Sequence, residues 1–172
     1  MSYSVYPPAE QTSAITDNWQ LIGSNTPTSG TTVTFSGIAT DWRKLWIVTA
    51  SPVTLTSGGY TYVRTNSLSD PADYAWLGPS GTSAYRYNDE SGIYNYTGAT
   101  DNSAVFNLYI TNPSSSIPFG TFEGGGSGSS QGSAYNHGWI QNLTSAVTQI
   151  DIITTTGYNA SNVGSFKLYG SL

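Results

Sequence analysis

The chain has 172 residues, enough for one well-packed domain and few for two. Only 9% of them are charged and the net charge is -5, which argues against a nucleic-acid partner, since that needs a basic face, and against an anionic membrane surface. Cysteine is absent, so there is no disulfide framework and no thiolate metal site.

Residues 1–14 hold Pro7 and Pro8, no Lys or Arg, and no apolar run, a pattern unlike a signal peptide. They are expected to form an extended N-terminal arm, biased to polyproline II. Such a segment buries too little apolar surface to offset chain entropy by itself. It can be ordered against a partner, where Tyr3, Val5, Tyr6, Pro7 and Pro8 are the candidate interface residues.

Residues 15–172 are expected to form a single domain. Short apolar or alternating runs are separated by Gly, Ser, Asn and Pro clusters. The clearest predicted strands are Trp19–Ile22, Thr32–Phe35, Lys44–Ala50, Tyr60–Thr65, Ala104–Ile110, Ser133–Ile140, Val147–Thr154 and Ser165–Gly170. Weaker ones are Tyr74–Leu77, Ser83–Tyr87, Ile93–Tyr96 and Ile117–Phe122. One turn of helix is expected over Ala39–Leu45, with Asp41 as its cap. Residues 124–132, all Gly, Ser and Gln, read as a flexible loop.

Period-two alternation fixes faces within the predicted strands. Ile150 and Ile152 oppose Asp151 and Ile153. Phe106, Leu108 and Ile110 oppose Val105, Asn107 and Tyr109. Phe166 and Leu168 oppose Lys167 and Tyr169. The expected core is Phe35, Leu45, Ile47, Phe106, Leu108, Ile150, Ile152, Phe166 and Leu168. The fold class that follows is all-β, two packed antiparallel sheets with almost no helix.

The chemistry open to these residues is narrow. The one histidine, His137, lies in Tyr135-Asn136-His137-Gly138-Trp139, and no Gly-x-Ser-x-Gly elbow occurs. A glycosidase needs two facing carboxyl groups. Only Glu123 and Asp151 adjoin apolar strands, and nothing in their spacing sets them face to face. Asn88-Asp89-Glu90 and Asp101-Asn102 offer hard oxygen ligands near glycines, but the spacing fits no EF-hand. The reading is a non-enzyme with no cofactor and no metal. The three sequons, at Asn95, Asn142 and Asn159, are about what this composition yields by chance, and no glycosylation is read from them.

The chain carries 13 Tyr and 5 Trp, residues that give large contact area at low entropy cost. Tyr85 and Tyr87 share one face of their predicted strand, and Tyr94 and Tyr96 share one face of theirs. If the two strands pair, the four rings form one platform, whether core, subunit interface or glycan-binding surface.

Three stretches resemble a domain met in bacteriophage proteins of tails, fibres and capsid surfaces. The first is Val33-Thr34-Phe35-Ser36-Gly37-Ile38, followed by Trp42 and the strand Leu45–Ala50. The second is Tyr62-Val63-Arg64-Thr65-Asn66, with Thr65 standing where that domain has an aromatic residue. The third is Ile150-Asp151-Ile152 with the closing string Gly164-Ser165-Phe166-Lys167-Leu168-Tyr169-Gly170, the most specific of the three. Together they span residues 19–170, and residues 80–132 match only loosely. The resemblance implies a jelly-roll-like β-sandwich and a structural role in the virion, with no catalytic residues to carry over. On that basis the expected function is decoration or cementing of a capsid surface. The expected partners are other virion proteins of capsid or tail and further copies of the chain, a trimer first. The competing expectation is a tail- or fibre-associated module that binds a receptor or host glycan.

Overall fold

The computed structural model describes residues 18–57, 61–69, 74–80, 83–90, 92–95, 103–111, 113–114, 119–125, 134–140 and 145–172. Within these, side chains are described for 18–57, 61–69, 107–111, 113–114 and 145–172. The expected arm, residues 1–14, lies outside the described residues.

Alternation sets the architecture. In the last strand, Ser165–Ser171, Phe166 and Leu168 are buried while Ser165, Lys167 and Tyr169 are half-buried. The same rhythm buries Leu45, Ile47 and Thr49 in Lys44–Ser51, and Val33 and Phe35 in Thr32–Ser36. A strand whose apolar residues share one face must cover that face with another layer.

Thirteen strands are described: β1 (Gln20–Asn25), β2 (Thr32–Ser36), β3 (Lys44–Ser51), β4 (Val53–Thr54), β5 (Thr61–Thr65), β6 (Tyr74–Ser80), β7 (Ser83–Glu90), β8 (Ile93–Asn95), β9 (Ser103–Thr111), β10 (Phe119–Gly125), β11 (Ala134–Ile140), β12 (Gln149–Thr154) and β13 (Ser165–Ser171). Every pairing is antiparallel. The larger sheet runs β1-β13-β3-β9-β10-β11-β6-β7, with β4 joined to β9. The smaller runs β2-β12-β5-β8. No helix occurs among the described residues.

The two sheets share one apolar core, which makes the fold β-sandwich-like. Val33, Phe35, Val63, Ile150 and Ile152 enter it from the smaller sheet, and Leu45, Ile47, Leu108, Ile110, Phe166 and Leu168 from the larger. Eight of the nine residues expected in the core are buried. The side chain of the ninth, Phe106, lies outside the described residues.

Two asparagines pin the connections. Asn66 and Ser67 have φ of 50° and 58°, and Leu68 N–H donates to Thr65 O at 3.0 Å. This is a type I′ turn, whose left-handed positions asparagine tolerates. The Asn66 side chain then clamps the approach to β12. Its Oδ1 accepts from the backbone N–H groups of Thr148 (2.8 Å) and Gln149 (3.1 Å), and its Nδ2 donates to Ala146 O at 2.8 Å. Asn162 is buried and uses donors and acceptors alike. Its Oδ1 accepts from Thr54 and Gly164 N–H, and its Nδ2 donates to Pro27 and Gly164 carbonyls, at 2.8 to 3.0 Å. The β1–β2 connection, strand β4 and the connection before β13 are thereby tied at one point. Tyr158 adds a phenol that donates to Ile152 O at 3.0 Å, and burial pushes its pKa well above the ordinary phenol value, keeping it a neutral donor.

Three expectations are corrected. Residues 39–43 form a turn and bend instead of a helical turn, because Arg43 N–H already donates to Ser171 O and commits the chain to the sheet. Gly124 and Gly125 are strand residues of β10, paired with Ala134 and Phe106 and with Val105, instead of loop. Asn88, Asp89 and Glu90, whose Asn-Asp-Glu-Ser-Gly context reads as a turn, lie inside β7 at a bulge opposite Tyr74 and Ala75.

Phe166→Ala should cost about 3–5 kcal/mol in chemical denaturation, the range for an aromatic truncated in a closed core. Asn66→Ala should lose about 2–3 kcal/mol, combining the left-handed penalty with lost side-chain bonds. Asn66→Gly restores only the backbone part. It should fall between wild type and the alanine variant in the same measurement.

Candidate binding surface

The register across the larger sheet sets a row of residues side by side. Leu21 of β1 faces Tyr169 of β13, Tyr169 faces Trp46 of β3, and Trp46 faces Tyr109 of β9. The row continues by register through Thr121, His137, Leu77 and Arg86 on β10, β11, β6 and β7. Leu45, Ile47, Leu108, Ile110, Phe166 and Leu168, the alternate residues of the same strands, point into the core. Trp46, Tyr109 and Tyr169 therefore stand on the outer face.

These rings form a ladder. Trp46 stacks on Tyr169 at 5.0 Å between centroids and on Tyr109 at 5.6 Å, the second pair within 4° of parallel. Trp19, just ahead of β1, meets Trp46 and Tyr109 edge-on at 5.8 and 6.3 Å. Aromatic pairs in these geometries add about 0.5–1.5 kcal/mol beyond their area. Trp19 partly covers the ladder, while Tyr109 remains 36% and Leu21 55% exposed. Trp46 Nε1 is buried with no hydrogen-bond partner among the described residues.

Sequence reasoning missed this cluster, although the signal was there. Trp46, Tyr109 and Tyr169 each occupy the outward phase of an alternating strand, where a polar residue is the rule. The set that was expected is differently placed. Tyr85 and Tyr87 lie on β7, at one end of the larger sheet, and Tyr94 lies on β8, opposite Tyr62 in the smaller. The two strands do not pair, so strand pairing does not build one platform from them. Tyr96, and the side chains of the other three, lie outside the described residues.

The remaining candidates are placed as follows. His137 is on β11, paired with Thr121 and Leu77. Glu123 is on β10 of the larger sheet and Asp151 on β12 of the smaller. Asp151 is 6% exposed, and its carboxylate accepts from Thr34 Oγ1 at 2.7 Å and from Gln149 Nε2 at 3.0 and 2.9 Å. That is a structural use of the charge, since a buried carboxylate must be hydrogen-bonded. Asp101 and Asn102, and the arm residues Tyr3, Val5, Tyr6, Pro7 and Pro8, lie outside the described residues. No cluster of three or more metal-binding side chains occurs among the described residues.

No protein-family model matches this chain, and no similar protein is found among curated proteins or solved structures.

Trp46→Ala should cost about 2–4 kcal/mol, since it removes the ring on which the others stack. Trp46→Phe keeps a ring and removes the orphan donor, and should cost less than half as much in the same urea titration.

Proposed function

We propose that the chain is a non-enzymatic structural protein of a bacteriophage virion, decorating or cementing the capsid surface through contacts with neighbouring copies and other virion proteins. In this reading the sandwich is jelly-roll-like and the arm, residues 1–14, docks on a neighbour. The observation that carries the reading is where the three motif stretches meet. Phe35, Ile38 and Leu45 of the first are in one core with Ile150, Ile152, Phe166 and Leu168 of the third. Gly170, the last motif residue, lies under the Trp42 ring so closely that a Cβ there would sit 2.5 Å from it. Asn66, closing the second stretch, bonds to the chain leading into β12. The residues that carry the resemblance build the framework of the sandwich.

The composition supports the same reading. A surface made of hydroxyls and amides, with few charges, suits a protein fixed among fixed neighbours, where long-range electrostatic steering has little part.

A second reading rests on the aromatic ladder. Its exposed margin, Tyr109 and Leu21, suits stacking against the apolar face of a sugar. A tail- or fibre-associated module that binds host glycan would use it.

Two measurements separate these. The copy number per purified particle should match the capsid lattice; a number matching tail symmetry favours the second reading. Deleting residues 2–14 should abolish rebinding to particles that lack the protein while the β spectrum and melting point persist. Undiminished rebinding would remove the arm from the proposal. Tyr109→Ala should leave particle binding intact, and loss of glycan binding in that variant would favour the glycan-binding module.

A further inference from the structure

The sandwich has an open margin where its two terminal strands lie near each other. β1 ends the larger sheet and β2 ends the smaller, and neither has a second neighbour among the described strands. Between them lies a cleft of about 400 Å³, lined by Ile22, Gly23, Phe35, Ile38, Trp42 and Leu168 among others. Its walls come from the sandwich core, since Phe35, Ile38 and Leu168 belong to the buried cluster and Trp42 packs on it.

Among the described residues, the register shift between Leu21 and Gly23 is the one guard of the β1 edge. Its sequence, Gln-Leu-Ile-Gly-Ser-Asn, has no charge and no proline, and natural edges are commonly guarded by one or the other. Leu21 is 55% and Ile22 36% exposed.

From this we infer that the β1 edge and the cleft beside it receive residues 2–8 of a second copy of the chain, added as an extended strand. The inference rests on the proposed assembly role and names the acceptor for the arm. Residues 2–8 read Ser-Tyr-Ser-Val-Tyr-Pro-Pro. In an extended chain Tyr3 and Val5 share one side and Ser2, Ser4 and Tyr6 the other. That matches a site with an apolar floor on one side and solvent on the other. Backbone bonds to an edge left unpaired by the described strands supply affinity, and the alternate side chains supply fit. Pro7 and Pro8 end the pairing, because neither has an N–H to donate.

The donor is a second copy because of how the chain enters β1. Trp19 sits on Trp46 and Tyr109, in the third and fourth strands counted from the β1 edge. Trp19, the residue before β1, therefore lies over the outer face of the larger sheet. The cleft opens on the opposite, inner side of β1.

The absence of cysteine makes the test clean. Full-length chains carrying Val5→Cys alone and Ile22→Cys alone are mixed and oxidised. A covalent dimer of the two should form about tenfold more than between Val5→Cys and a remote control, Val163→Cys, because docking raises the local thiol concentration. A chain carrying both Val5→Cys and Ile22→Cys should give mainly interchain products. Closure of that chain on itself, with no dimer in the mixture, would assign the cleft to its own arm and overturn the inference. A yield equal to the control would show that the cleft is not the acceptor. Light scattering supplies the second arm, with Tyr3→Ser/Val5→Ser lowering the oligomer to monomer at unchanged circular dichroism. An unchanged oligomer in that variant counts against the inference. Cross-linking without particle binding would leave this inference standing and remove the virion role. Particle binding without cross-linking would do the reverse.

Discussion

The fold depends on one constraint: β12 and β13 must present their alternate residues to the same interior from opposite sheets. Ile150 and Ile152 do so from the smaller sheet, Phe166 and Leu168 from the larger. Strand periodicity of two makes this all-or-none, because a slip of one residue turns every apolar side chain outward. Register therefore has to be pinned from outside the strands. Asn66 fixes where β12 begins, through its bonds to Ala146, Thr148 and Gln149. Asn162 fixes the approach to β13, through its bonds to Gly164, to Pro27 on the β1–β2 connection and to Thr54 of β4. Gly164 completes the arrangement, since a Cβ there would run into the Pro52 carbonyl.

Neutral groups carry these roles. With charged residues at 9% of the chain, amides and hydroxyls hold connections that ion pairs hold elsewhere. The described carboxylate that is buried, Asp151, is held by a threonine hydroxyl and a glutamine amide. Bonds of this type are not screened by salt as surface ion pairs are. Those bonds should therefore be indifferent to ionic strength.

Much of the fold was legible because burial follows alternation. Every strand expected from the pattern has a counterpart in the structure, and the strands with clear period two gave the core. What was not legible depends on contacts between distant segments. β4, two residues long, exists because Val53 and Thr54 meet Ala104 and Ser103, which no local pattern encodes. The expected turn of helix near Asp41 gave way to a tertiary bond from Arg43 to Ser171. The aromatic ladder is the instructive case, since its members are far apart in sequence and become neighbours only through the order β13-β3-β9. The Tyr85, Tyr87, Tyr94 and Tyr96 group looked better in one dimension, yet β7 and β8 went to different sheets.

The two unusual surfaces differ in how far they are closed. The ladder is largely satisfied within the chain, for its rings stack on one another and Trp19 lies against two of them. Its stacking energy is already present in the folded monomer, so a ligand gains only what the exposed margin offers. The β1 margin is different. Its backbone edge is unpaired among the described strands and the cleft beside it reaches core residues. A strand added there gains hydrogen bonds and apolar burial together, with little change in the acceptor. Of the two, the edge has more free energy still to release on binding, and for a protein read as a part of an assembly it is the stronger candidate for the contact that builds it.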